Sequence, residues 1–527
     1  MKALEDDVRV ALAMLRRHIN LLDSPIYRLL PDMFPEIASH LRVYETDLVN
    51  ATRVSYHLRN TLLSHPSLWS YLDFDHETRA RTFLKRSGQT PLHVNIPVVD
   101  IRMVDSLVEL RRQSERVASL RLRNWRIQGK FLSESLPSLR SLEVFSHHYY
   151  YDWDESPDNP WGSVLYPTIR PTLWSLPSLT SLVVVGVEPT RFHTPHLTHF
   201  EFSCGGYTAN SRGLPSFLNN CPVLEHIDIS YVGEFLKSQD LVVSLPNLLT
   251  YSETVYDQAY PITLLNMLSL PPLCSVTLRS EIEETKGEVG AILPPHFENP
   301  DYLAEIKRIK LRTIYGDRNE VAEAVELVNV KGTMICFQRS YEERKNWPYV
   351  EGKHAHSVMH PNFFGNLDGQ SVEVLCIDGD PRPGTMIDWF FEEASGFGNV
   401  RTLILSGGVV GHCFDDLNSE PDPSGHSRWF PPIHAFIIHT NQDELYSVVL
   451  QPLLDIAQER KKAGFPFKSV SLFFRDGLEF EEDLKELKEY VEELEVVVGD
   501  DILDWDVDKY FLKGLDHLQK NRDVQWD

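Results

Sequence analysis

One short phrase recurs along the chain and constrains its fold more than any other feature. Val117-Ala118-Ser119-Leu120-Arg121-Leu122 is the first clear copy. Leu139 to Val144, Leu179 to Val184, Leu197 to Phe202 and Leu224 to Ile229 repeat it. Further copies run from Leu273 to Leu278, Ile306 to Leu311, Val372 to Ile377 and Val400 to Leu405. Apolar residues at i, i+3 and i+5 put one side chain at a bend and two on the inward face of a short strand. A single such unit cannot bury its face, but stacked units bury a continuous core. The phrase therefore predicts an α/β fold of parallel strands arranged as a repeat array.

Turn signals precede several copies: Leu136-Pro137-Ser138, Leu176-Pro177-Ser178, Cys221-Pro222-Val223 and Leu270-Pro271-Pro272. Core positions Leu120 and Leu142, Phe200 and Ile227, and Leu375 and Leu403 stand 22, 27 and 28 residues apart. The pattern resembles a leucine-rich repeat, which implies a horseshoe-shaped solenoid with parallel strands. The asparagine of that repeat is missing from most copies, so the turns must be stabilised in another way. The array is also irregular. Gaps of 40, 66 and 67 residues follow Leu142, Ile309 and Leu403, long enough to hold degenerate repeats and insertions. Thr333 to Phe337 reads as a hidden strand, Leu92 to Ile96 as a first strand, and Val470 to Leu472 and Val496 to Val498 as the last two. The helix expected over Phe480–Glu493 carries Leu484, Leu487 and Val491 on one side and acids on the other, as a terminal cap would.

The segment before the array reads differently. Leu4, Val8, Leu15, Ile19 and Leu22 form one helical stripe, ended by Asp23-Ser24-Pro25. This helix either packs on the next domain or supplies a short coiled-coil seam. Residues 24–75 read as short helices: Ile37 and Leu41 on one, and Leu48, Ala51, Val54 and Leu58 on another that Asp47 would cap. Ser64-His65-Pro66-Ser67 breaks the chain, and Leu68, Trp69, Leu72 and Phe74 supply large anchors. About 50 residues hold little core of their own, so these faces need a partner surface.

These residues carry a second resemblance. Leu30-Pro31-Asp32-Met33-Phe34-Pro35-Glu36-Ile37 through Leu41 resembles the opening helix of an F-box. Asp47-Leu48 through Leu58-Arg59 resembles its middle helices, and Pro66-Ser67-Leu68-Trp69 its exit. The layout is most similar to F-box proteins of mushroom-forming fungi, with Leu58 where the family usually has Trp and Ser55 where it often has Cys. The resemblance implies docking to a Skp-type adaptor and, through it, to a cullin–RING ubiquitin ligase. Leu30, Pro31, Ile37, Leu41, Val54 and Leu58 would lie at or beside that interface, as apolar anchors in a groove. The expected organisation is an amphipathic helix over 1–23, an F-box-like helical domain over 24–75, a connecting segment with a first capping repeat over 76–114, and the solenoid with its insertions and C-terminal cap over 115–527.

Bulk properties narrow the partners. The net charge of −25 disfavours nucleic acid, and no apolar run approaches a membrane span. None of the 6 cysteines forms a CxxC pair, so they read as buried thiols of a reducing compartment. With acid where a signal peptide needs base, a cytoplasmic or nuclear location is expected. No catalytic or cofactor motif stands out. His354, His356 and His360 read as a surface loop before a zinc site. The aromatic stretch from His147 to Trp161 and the Gly- and Pro-rich stretch from Gly407 to Pro432 read as inserted loops.

Function is expected instead on the outward, concave strand face, where a protein target would bind. That face selects Arg121, Arg123, Glu143, Phe145, Glu201, His226 and Asp228. It also selects Arg308, Lys310 and Arg312, a basic strand suited to an acidic or phosphorylated segment. The leading expectation is a substrate receptor of an SCF-type ubiquitin ligase without an active site of its own. The alternative is a non-catalytic repeat scaffold or sensor acting outside ubiquitination, with an enzyme hidden in the insertions as a distant third.

Overall fold

The computed structural model describes residues 2–23, 33, 45–96, 104–123, 136–145, 174–203, 213–230, 242–255, 264–271, 273–281, 306–315, 320–330, 334–342, 371–379, 399–410, 433–440, 449–474 and 481–498. They form a mixed α/β structure with large, mostly parallel sheet, in two compact units, Met1–Glu201 and Phe202–Asp527.

The N-terminal unit opens with helix α1 (Lys2–Asp23), whose Val8, Leu12, Leu15 and Ile19 are exposed. Helices α2 (Glu45–Val54) and α3 (Tyr56–Leu63) follow as two pieces rather than one. Ser55 divides them. Its backbone is extended (φ −153°, ψ 161°) and its hydroxyl accepts from the Leu58 amide, so it caps α3. Asp47, expected as a cap, lies inside the first turn of α2.

A 3-10 turn over Pro66–Trp69 then drives Trp69 into the core. Its indole donates to the Leu62 carbonyl at 2.9 Å, and its ring meets Phe83 edge-on at 4.9 Å. Phe83 comes from helix α4 (Glu77–Arg86), and a further helix, α5 (Val104–Arg111), precedes the main strands.

Strands β1 (Tyr71–Asp73), β2 (Leu92–Ile96), β3 (Val117–Arg123), β4 (Ser141–Phe145) and β6 (Ser181–Val185) pair in parallel, each with the next. Leu72, Val94, Leu120, Leu142 and Leu182 share one register row and are all buried. Two-residue strands β5 (Trp174–Ser175) and β7 (Phe192–His193) form a separate small parallel pair. Strand β8 (His199–Ser203) runs across the division between the units.

The turns that precede the strands are closed by main-chain hydrogen bonds. Leu139 donates to Leu136, Leu179 to Leu176, Leu197 to Thr194, Leu224 to Cys221, Leu248 to Leu245 and Cys274 to Pro271, all at 3.1–3.2 Å. Pro137, Pro177, Pro195, Pro222 and Pro246 sit second in their turns, where a fixed φ near −65° suits the bend. The strand after each turn starts on a shared carbonyl. Arg140 O accepts from the Thr180 and Ser181 amides, and Thr180 O from those of Thr198 and His199. Glu225 O, Glu373 O, Arg401 O and His434 O each accept two amides in the same way. The rungs thus rest on main chain and proline, with few side chains involved.

In the C-terminal unit, β9 (His226–Ser230), β11 (Thr250–Val255) and β13 (Ser275–Glu281) continue the parallel pattern. Short strands β10 (Val243–Ser244) and β12 (Leu268–Ser269) pair beside them, and helix α6 (Leu214–Asn219) precedes β9. The sequence predicts that β14 (Ile306–Tyr315) stacks next. Instead β13 pairs with β16 (Met334–Glu342), which runs antiparallel to β15 (Glu320–Asn329), which in turn runs antiparallel to β14. Only then does β14 pair in parallel with β17 (Val374–Asp378). The long gap after Ile309 therefore holds a meander laid down in reverse order.

Beyond it, β18 (Thr402–Ser406), β19 (Ala435–Thr440), β20 (Phe467–Phe474) and β21 (Val491–Val498) pair in parallel, each with its predecessor. Helix α7 (Gln451–Lys462) links β19 to β20, and α8 (Glu481–Tyr490) links β20 to β21. Helix α8 stops at Tyr490, so Val491, expected on the helix, opens the last strand instead.

Candidate docking and recognition surfaces

Of the six residues expected to dock a partner, Leu30, Pro31, Ile37 and Leu41 lie outside the described residues. The other two separate. Val54 is 72% exposed at the end of α2, whereas Leu58 is buried in α3 at 6%. The break at Ser55 is the cause, because it removes both from one continuous helical face. Leu58 thus corrects the expectation of an interface anchor: it is part of the chain's own core.

On the solvent face of the N-terminal sheet, the expected recognition residues do come together. Arg121 and Glu143 are register partners and form an ion pair, Nε to Oε2, at 3.0 Å. Arg121 also lies over the Phe145 ring, 5.1 Å from its centroid. Asp73 and Asn95 extend the same row, with Asn95 Nδ2 donating to Asp73 Oδ1 at 3.0 Å. Burial and the neighbouring Asp73 raise the Asp75 carboxyl above its usual range, while Arg123 and His76 pull it down. An ion pair as open as Arg121–Glu143 adds under about 1 kcal/mol. The row places Asp73, Asn95, Arg121 and Glu143 side by side on adjacent strands.

In the C-terminal unit, His226 Nδ1 and Thr250 Oγ1 stand 2.8 Å apart across β9 and β11. Asp228 remains open at its tip. Burial by the strand atoms around it strips part of its water shell and raises its carboxyl, against the pull of Arg279 and the neighbouring Ser252 hydroxyl.

The basic strand is a different matter. Arg308 is half-buried, Arg312 donates to Asp378 at 2.8 Å, and Lys310 is fully buried. The register row through Lys310 shows why. Thr277, Cys336, Glu326, Lys310, Cys376 and Ile404 follow one another across adjacent strands and are all buried. The opposite face, with Ile335, Leu327, Ile309, Leu375 and Leu403, is buried as well. Strand alternation correctly places Lys310 opposite Ile309 and Leu311, but in mid-sheet both faces are covered. Lys310 is therefore withdrawn from the expected target-binding stripe, and the open parts of this row are its two ends, Asp228 and Glu495.

Two polar features escape sequence reasoning. Strand β11 is a repeat copy with Leu248, Tyr251 and Glu253 at its i, i+3 and i+5 positions. A carboxyl thus occupies a core position, 1% exposed, between Ile229 and Leu278 in the register. Tyr251 Oη donates to Glu253 Oε2 at 2.6 Å. Burial pushes the Glu253 carboxyl up to about 7, with the tyrosine bond opposing. The phrase itself would have revealed the strand had a polar residue been allowed at its last position.

The second feature lies at the carboxyl ends of β14, β17, β18 and β19, where Arg312, Asp378, Ser406 and His439 share a row. Ser406 Oγ and His439 Nδ1 are 3.3 Å apart, and burial lowers the imidazole against the pull of Asp378. The Asp378 carboxylate accepts from Arg312 Nε at 2.8 Å. Gly407 follows at φ +82°, where a Cβ would come within 3.0 Å of the Gly379 carbonyl. Close approach of two strand ends thus requires glycine here.

His354, His356 and His360 lie outside the described residues, as do 147–161 and 411–432. Among the described residues no group of three or more His, Cys, Asp or Glu is placed to hold a metal ion, and no helix is long and apolar enough to cross a membrane. Comparison of the chain with models of protein families, with curated proteins and with solved structures found no match.

Proposed function

We propose that the chain is a substrate receptor of an SCF-type, cullin–RING ubiquitin ligase. Its F-box-like segment, residues 24–75, docks a Skp-type adaptor, and a leucine-rich-repeat-like solenoid binds a protein target. The protein works in the cytoplasm, the nucleus or both, and adds proximity rather than chemistry.

The observation that carries this proposal is the join at Pro66–Trp69. The residues that resemble the exit of an F-box fold into the buried turn around Trp69 and lead directly into β1, the first rung of the parallel ladder. This join supports a reading in which a docking helical part leads straight into a recognition sheet. Val54, strongly exposed at the end of α2, is open to an apolar contact with another protein. The burial of Leu58 favours a second possibility, a repeat scaffold or sensor that acts outside ubiquitination.

Co-purification from cells separates the two. The wild-type chain should bring down both the adaptor and a cullin, and Leu30→Asp with Ile37→Asp should lose both while keeping its melting temperature. Recovery of neither from the wild type would favour the scaffold.

A further inference from the structure

An open groove of about 520 Å³ in the N-terminal unit is lined by residues of α2 and α4. Val49 and Arg53 stand one turn apart on α2. On α4, Arg79, Phe83 and Arg86 follow at four- and three-residue steps and so share one helix face. Three arginines thus line a single groove in a chain of net charge −25. The acid of the lining, Glu77, is already paired with Arg81 at 2.7 Å.

The arginines are held differently. Arg86 lies over the Trp69 ring, 4.6 Å from its centroid, which fixes its place. A guanidinium stacked on an aromatic ring keeps its in-plane N–H donors for acceptors. Arg53 is exposed and makes no hydrogen bond or ion pair among the described residues. Phe83, buried against Trp69, gives the groove an apolar floor.

Spacing selects the ligand. Seven residues separate Arg79 from Arg86, which is roughly 10 Å along a helix at 1.5 Å per residue. One phosphate is too small to meet both. An extended peptide repeats its same-side chains every ~6.8 Å, so carboxylates two to four residues apart can reach both arginines and Arg53. We propose that this groove binds a short, extended, carboxylate-rich polypeptide segment. The surface is distinct from the strand faces and does not rest on the ubiquitin-ligase assignment.

The test uses purified full-length chain and a fluorescein-labelled peptide of alternating glutamate and leucine, followed by anisotropy at low salt. Saturable binding that weakens with salt is expected. Arg53→Glu should weaken it by about tenfold or more, Arg53→Gln by less, and Arg53→Lys least. Arg53 is exposed, so these substitutions leave the core intact, and unchanged melting curves verify that. The proposal is overturned by absence of binding, by equal affinity for wild type and Arg53→Glu, or by equal affinity for a glutamine-for-glutamate peptide. It is also overturned if inorganic phosphate competes as strongly as unlabelled peptide, which would mark a single-anion site.

Discussion

Replacing Lys310 with methionine is expected to destabilise the protein by about 3–5 kcal/mol, an effect normally reserved for large core truncations. Lys310 and Glu326 are directly opposite each other in the antiparallel β14–β15 register, at 0% and 1% exposure. Opposite charges at such positions have Cβ atoms about 5 Å apart and compensate each other. Removing the lysine leaves a carboxylate opposite a thioether in a site without access to water, and that uncompensated charge dominates the loss. Lys310→Met combined with Glu326→Leu should recover most of the stability, because neither charge then needs to be desolvated. Urea unfolding of the two variants and the wild type checks this. A loss under about 1 kcal/mol for the single variant would mean that the ammonium reaches water and that the middle of the sheet is open after all.

The second large effect has the opposite sign. Glu253→Gln should stabilise the protein at pH 8 by up to about 3 kcal/mol and leave it unchanged near pH 4. The Glu253 carboxyl is raised from an ordinary 4.5 to about 7 in the fold. A carboxyl whose folded pKa is raised favours the folded state while both states are protonated, below about 4.5. That contribution shrinks as the pH rises towards 7 and is absent above it, where the buried carboxylate must be ionised or must hold a proton against the solution. Glutamine keeps an acceptor for Tyr251 and carries no charge, so the variant loses this pH dependence. The difference between variant and wild-type melting temperatures, followed from pH 4 to 8, isolates Glu253 from every other titrating group. A difference that does not change with pH would place Glu253 in contact with water.

Both residues show where a single sequence is informative and where it is silent. All nine copies of the apolar phrase fall on strands, because period-two burial is a local property that i, i+3 and i+5 spacing reports directly. Met334 to Phe337 and Leu92 to Ile96 were legible for the same reason. Strand β11 was not, since Glu253 breaks the pattern at the position where burial is complete. Strand β15, with Glu320, Glu323 and Glu326 among its valines, does not show the period of a strand open on one face, because mid-sheet strands are covered on both.

Strand order lies further out of reach. Whether β14 or β16 follows β13 depends on contacts between distant segments, and either order satisfies the local pattern. The candidate surfaces divide along the same line. Alternation correctly grouped Arg121, Glu143 and Phe145 on one face, but it cannot tell that the face bearing Lys310 is covered. Ser55 likewise reads as an ordinary helix residue until its hydroxyl is seen capping α3 and separating Val54 from Leu58.

The proposed division of labour, assembly near the N-terminus and recognition along the strands, is tested most directly by size-exclusion chromatography of the purified chain mixed with a purified Skp-type adaptor. A complex of one copy of each is predicted at about micromolar concentrations. Val54→Asp, exposed and therefore harmless to the core, should weaken that complex by about tenfold or more without shifting the melting temperature. Separate elution of the wild-type chain and the adaptor would contradict the account.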